Sequence, residues 1–118
     1  MAEHNELGKL GEELAAEYLQ KNGYAILETN WVFQKAEIDI LAQKENTLAV
    51  VEVKTRSSIA FGHPFEAINS DKAHRMQRLA LAWLATHKCF GRDYAIDVAA
   101  VLIAADGTFT IEYRAGVL

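Results

Sequence analysis

The sequence predicts an α/β fold: a single sandwich domain built on a mixed sheet, with elements in the order α-β-β-β-α-β-β. Three observations carry this. An apolar stripe of helical period runs through the first 22 residues, and a second lies between residues 70 and 84. The segments between and after them alternate or run apolar with strand period. Length agrees, since 118 residues, 51% of them hydrophobic and 24% charged, suffice for one core and not for two.

Residues 4–22 read as a helix because Leu7, Leu10, Leu14 and Tyr18 recur at three- and four-residue steps, and Asn22-Gly23 stops it. Tyr24–Asn30 follows as a strand. Glu37–Ala42 alternates polar and apolar, which puts Glu37, Asp39 and Leu41 on one face. Leu48–Thr55 is the most apolar strand and belongs at the centre of the sheet, with Val50, Glu52 and Lys54 on one face and Val51 and Val53 on the other. Arg56–Asn69 is expected to be an ordered loop punctuated by Phe61-Gly62-His63-Pro64. Ser70 is expected to cap the second helix, whose apolar side carries Met76, Leu79, Ala80, Trp83 and Leu84. Asp93–Ala104 and Thr108–Tyr113 complete the sheet across an Asp106-Gly107 hairpin turn.

Several classes are excluded. No apolar run reaches the ~18 residues of a membrane span. The start, Met1-Ala2-Glu3-His4-Asn5-Glu6, has acids where a signal peptide has a basic start and an apolar core. A lone Cys89 rules out an internal disulfide framework and a cysteine-based zinc site. The expectation is a soluble, cytoplasmic protein. Its formal charge of −4 argues against a simple nucleic-acid coat protein, but the distribution is uneven. Residues 1–53 hold ten acids and four Lys/Arg, whereas residues 54–92 hold two acids and seven Lys/Arg. That pattern fits either solvated surfaces of opposite sign or an anionic substrate held by the middle segment.

Two strands carry charges where a core strand should not. If they pair as a hairpin around Glu45-Asn46, Asp39 falls opposite Glu52; a slip of two keeps them on one face and a slip of one separates them. Facing carboxylates repel unless a cation lies between them. A hard cation such as Mg²⁺ takes oxygen ligands, keeps several waters, and is commonly held by one or two carboxylates with substrate phosphate. Lys54, two residues from Glu52, suits stabilising charge on a phosphate or orienting the attacking water, and the Val53 carbonyl is a further candidate ligand. The bland alternative is an Asp39/Glu52/Lys54 salt-bridge cluster on a solvated sheet face. On the first helix, at about 100° per residue, Glu12 lies near Gly8, Ala15 and Leu19 at the margin of the apolar arc. It is therefore either an auxiliary carboxylate leaning over the sheet or a boundary residue in water; Glu6, Glu13 and Glu17 point elsewhere.

Taken in order, Gly8-Lys9-Leu10-Gly11-Glu12-x-x-Ala15, Gly23-Tyr24, Asn30, Glu37-Ile38-Asp39, Val51-Glu52-Val53-Lys54-x-Arg56, Phe61-Gly62-x-Pro64-x-Glu66-Ala67 and Lys72 resemble the small bacterial YraN-like family of proposed endonucleases. That family is similar to archaeal Holliday junction resolvases, within the PD-(D/E)xK, restriction-endonuclease-like superfamily. The likeness runs from about residue 5 to Asp97. It implies a restriction-endonuclease-like α-β-β-β-α-β core, here with an extra C-terminal strand. It also implies that Asp39, Glu52 and Lys54 form a metal-dependent nuclease site with Glu12 as an auxiliary carboxylate. The sequence departs from the family in having Ala36 where glycine usually precedes Glu-Ile-Asp. Its late strand keeps Asp97 of an arginine-plus-aspartate pattern, with Arg92 further upstream.

Among the remaining candidates, Arg56 follows the active-site strand, and its planar fork suits a substrate phosphate. Lys72, Arg75 and Arg78 lie at three-residue steps and would contact phosphates or form a solvated face. Trp31 and Phe33 read first as packing, with stacking on unpaired bases as the alternative. His63 reads as a surface residue; His4, His74 and His87 show no metal-ligand spacing. Cys89 reads as a buried small side chain. The expected function is a Mg²⁺- or Mn²⁺-dependent endonuclease acting on DNA, with branched or single-strand-containing forms among its candidate substrates. Resolving a four-way junction takes two coordinated cuts, so that activity would call for a symmetric homodimer. The alternative class is a nucleic-acid- or protein-binding module on a nuclease fold.

Overall fold

The computed structural model describes residues 2–57, 69–88 and 92–117, with side chains from residue 6 onward. The expected loop at Phe61-Gly62-His63-Pro64, Cys89 and the side chain of His4 lie outside the described residues. The elements are α1 (Ala2–Lys21), β1 (Ala25–Phe33), β2 (Ala36–Lys44), β3 (Thr47–Arg56), α2 (Ser70–Thr86), β4 (Asp93–Ile103) and β5 (Phe109–Arg114). Their order is the predicted one.

The five strands form one sheet in chain order, with β3 and β4 parallel and every other pair antiparallel. A parallel pair needs a crossover, and α2 lies in it. The helices cover opposite faces. On the α1 side, Ala15 and Leu19 pack with Ile40, Val51, Val53, Ala99 and Val101; on the α2 side, Met76, Leu79, Trp83 and Leu84 pack with Ile38, Leu41, Leu48, Val50 and Ile96. β3 is buried on both faces, which explains its nearly continuous apolar run. None of the helices is long and apolar enough among the described residues to cross a membrane.

The β2–β3 hairpin has the predicted register, with Ile40 opposite Val51, Leu41 opposite Val50 and Lys44 opposite Thr47. Its two-residue turn places Glu45 at φ +55°, an unusual task for a residue with a Cβ. The β1–β2 hairpin turns at Gln34-Lys35, both left-handed at φ +50° and +69°, as a type I′ turn requires. The left-handed backbone thus falls one and two residues before Ala36, which pairs with Phe33 inside the strand. Alanine is accommodated there.

Three expectations are corrected. β1 continues past Asn30 to Phe33: Asn30 is left-handed at φ +52°, yet pairing resumes at Trp31 opposite Ile38. Strict alternation fails across Asp39, because Ile38 and Leu41 enter the α2-side core while Ile40 enters the α1-side core. The irregular Asn30 lies across from this point, between the pairs Thr29/Ile40 and Trp31/Ile38. Finally, the cap of α2 is Asn69, whose Oδ1 accepts from Lys72 N–H at 2.9 Å; Ser70 is already helical. Asn69→Ala is accordingly expected to cost about 1 kcal/mol in denaturant unfolding. Ser70→Ala should stay within roughly 0.5 kcal/mol of wild type, and the reverse ranking would contradict the capping assignment.

Candidate active site

β2 and β3 part company where the charges begin. The last ladder pair is Ile40/Val51; beyond it the Asp39 carboxylate takes the place of a backbone acceptor, its Oδ2 receiving the Val53 N–H at 2.8 Å. The predicted opposition therefore brings Asp39 and Glu52 into one cavity of about 290 Å³ on the α2 side, also lined by Glu37, Lys72 and Arg75. Burial and the charge of Glu52 push the Asp39 carboxyl up to about 7; the Val53 hydrogen bond opposes this, and Glu12 and Glu37 add to it. Glu52 has cations at hand, with its Oε1 3.2 Å from Lys54 Nζ and 2.8 Å from Lys72 Nζ. Burial and the adjacent Lys72 amine hold the Lys54 ammonium below its usual range, against the pull of Glu52. For Lys72, burial acts downward but its bonds to Glu52 and Lys54 win, leaving it raised.

Glu12 reaches this region because α1 comes very close to β3. Gly11 is buried, and a Cβ there would lie 1.9 Å from Thr55 Oγ1. The next residue, Glu12, accepts the Asn30 Nδ2 amide at 2.9 Å, and the same amide donates to Glu37 at 2.8 Å. Asn30 thus bridges two acids that border Asp39. Its left-handed backbone is a conformation that asparagine tolerates better than most residues.

Of the predicted site residues, Asp39, Glu52, Lys54 and Lys72 come together directly. Arg75 lines the cavity, and Glu12 acts on Asp39 through its charge while engaged by Asn30. Lys72, expected on a substrate phosphate, is instead paired with Glu52, because the first turn of α2 points its ammonium at the carboxylate. Arg56 folds back on the chain, donating from Nη1 to Thr55 O at 2.9 Å. The Val53 peptide meets Asp39 through its N–H. Asp97 is fully buried on the other side of the sheet, where it accepts from the Tyr113 hydroxyl and, at 2.9 Å, from Gly116 N–H. Tyr113 in turn stacks on Tyr18 of α1, so Asp97 ties the C-terminal segment to β4. Sequence reading gave no role to Asn30, Glu37 or Gly11. The asparagine within an otherwise strand-like run and the paired glycines of α1 were the available signals.

The donor set suits a hard cation held by few protein ligands. Two carboxylates, one of them raised by the other's charge, supply anionic oxygens, and the paired ammonium groups already partly neutralise them. Among the described residues, no three acidic, histidine or cysteine side chains converge as a ligand set. Glu12 is engaged by the Asn30 amide, and Asp39 and Glu52 are the two carboxylates that share the cavity.

A profile of the Uncharacterised protein family UPF0102 matches residues 11–101, and the chain belongs to that family. The UPF0102 protein of Flavobacterium johnsoniae is 51% identical over 115 residues, covering 96% of this chain and 94% of its own. That of Beutenbergia cavernae is 44% identical over 111 residues, 94% of each chain. A Flavobacterium psychrophilum member is 69% identical over 72 residues, 61% of this chain and 60% of its own. The match spans every residue of the candidate site from Gly11 to Arg78.

Proposed function

We propose that this chain is a divalent-metal-dependent endonuclease of restriction-endonuclease-like fold that hydrolyses phosphodiester bonds in DNA. The observation that carries the reading is the Asp39 carboxyl, poised near neutrality against Glu52 with the depressed Lys54 amine on the same carboxylate. The α/β sandwich with its parallel β3–β4 pair is compatible with that fold. Asp39 and Glu52 would hold Mg²⁺ or Mn²⁺, with the Val53 carbonyl as a further oxygen. The bound cation would supply Lewis-acid polarisation of the phosphate and help to acidify a water.

The chain's own groups do the rest. Lys54 Nζ, held beside Glu52, orients the attacking water and offsets the charge that develops on the phosphate as the water oxygen bonds to phosphorus, the water's proton passing to solvent. The bond to the leaving oxygen breaks, and that oxygen takes its proton from solvent. Lys72 offsets charge at Glu52, and Arg75 at the cavity wall holds a flanking phosphate. For branched substrates the two cuts call for two copies of the chain, a point that sedimentation of the protein with a junction would decide.

The test is cleavage of a panel of linear, gapped, flapped and four-way DNA in Mg²⁺ and in Mn²⁺. Wild type should cut, and Lys54→Ala should lose roughly 100-fold or more in rate. Undiminished cutting by Lys54→Ala would show the site to be wrong. Tight binding with no cutting by wild type would make the chain a binding module instead.

A further inference from the structure

Beside the candidate centre, on the same side of the sheet, runs a second groove of about 430 Å³ lined by Phe33, Gln34, Ala36, Arg75, Arg78 and Leu79. It is continuous with the Asp39 cavity, because Ala36, Arg75 and Leu79 line both. We infer that this groove seats an unpaired nucleotide of the strand being cut, with Phe33 as its stacking surface and Arg75 and Arg78 as its phosphate clamp. The inference deepens the endonuclease reading and rests on it, since it takes the neighbouring centre to act on the same strand.

The chemistry of the lining selects this occupant. Phe33 is half-buried and held by Trp31, whose ring stacks on it at 5.5 Å and 13°. A ring fixed in this way offers a flat surface at little entropic cost. Arg75 and Arg78 are exposed, three residues apart on α2, so they project from one side of the helix. Neither has an acidic partner among the described residues, and no acid lines the groove. An aromatic face beside two exposed guanidinium groups is the combination that binds single-stranded nucleic acid, whose bases have free π-faces. In a duplex those faces are covered by neighbouring bases. The apolar floor of Ala36 and Leu79 and the Gln34 amide complete a seat for one base. The geometry also separates two charge regimes: acids surround the cutting position and arginines flank it, so one strand can run from one to the other.

The experiment uses the full chain in EDTA, so that no bond is cut, with fluorescein-labelled duplexes read by anisotropy. One duplex is blunt, one carries a five-nucleotide single-stranded extension, and one carries the same extension with abasic sites. Wild type should bind the base-bearing extension roughly 5- to 100-fold tighter than the abasic one. Phe33→Leu, which keeps apolar volume and removes the ring, should bind both extensions alike while leaving blunt-duplex affinity unchanged. The Arg75→Gln/Arg78→Gln double variant should flatten the salt dependence of extension binding by about 1.4 in log–log slope. Equal binding of the two extensions by wild type overturns the seat, as does a base preference that survives in Phe33→Leu. The two readings fail separately. A missing stacking signature with cleavage intact overturns the seat alone, and an intact signature in a protein that never cuts overturns the endonuclease.

Discussion

Asp39→Asn is expected to lower DNA cleavage by at least about 100-fold and to weaken Mg²⁺ or Mn²⁺ binding measurably in calorimetry. The same substitution should make the metal-free protein more stable at alkaline pH, which separates it from a merely disruptive change. Burial and Glu52 raise the folded carboxyl from 3.8 to about 7. Between those values the folded state holds a proton that the unfolded state has released. Stability of the metal-free wild type should therefore fall as pH rises from about 4 to about 7 and level off above, the ionised carboxylate then costing on the order of a few kcal/mol. Asparagine removes that charge, so the variant should gain at pH 8 and gain nothing at pH 4. Thermal melts in EDTA at the two pH values check this, and parallel pH profiles for wild type and variant would rule out a carboxyl held protonated. Metal binding needs the ionised form. Affinity should consequently rise by up to about tenfold per pH unit below 7 and flatten above it, with proton release on binding near pH 6.

Gly11→Ala should give the largest loss of stability of any glycine-to-alanine change in the described part of the chain. The added Cβ would sit 1.9 Å from Thr55 Oγ1 and 2.8 Å from Thr55 Cβ and Cγ2. Thr55 cannot retreat, because its Cβ is fixed to a β3 backbone that is registered against Val101 of β4. The helix must lift instead, loosening Ala15 and Leu19 in the core and pulling Glu12 from the Asn30 amide. Overpacking of this kind costs about 1–3 kcal/mol, or a fall in melting temperature of roughly 3–15 °C. Gly8→Ala is the control: a Cβ there meets nothing within 4 Å, so the higher helix propensity of alanine should leave stability unchanged or slightly raised. If both variants melt alike, the close approach of α1 to β3 is not what places Glu12.

The hairpin register shows how far local pattern reaches. The apolar pattern puts Asp39 and Glu52 on one face in any register slipped by two, and the two-residue turn is what selects the register observed. The boundary of α2 shows where local pattern stops short. Asn69 and Ser70 are both good caps, and the choice between them depends on where the chain arrives from residues upstream. The ends of β1 were likewise illegible. Asn30 looks like a stop, and only the resumption of pairing with β2 carries the strand on to Phe33.

The sequence by itself determined the element order, the central position of β3 and the shared face of the two carboxylates, because periodicity and short connections are local properties of the chain. Tertiary structure decided what surrounds those carboxylates. Asn30 joins Glu12, 18 residues before it, to Glu37, the Lys72–Glu52 pair joins α2 to β3, and Gly11 meets Thr55 across the layer. Each joins groups distant in the chain, whose meeting depends on how closely a helix settles on a sheet. The proton affinity of Asp39 is of the same kind: it follows from burial and from neighbours on β3, on α1 and on β2 itself, and no motif encodes it.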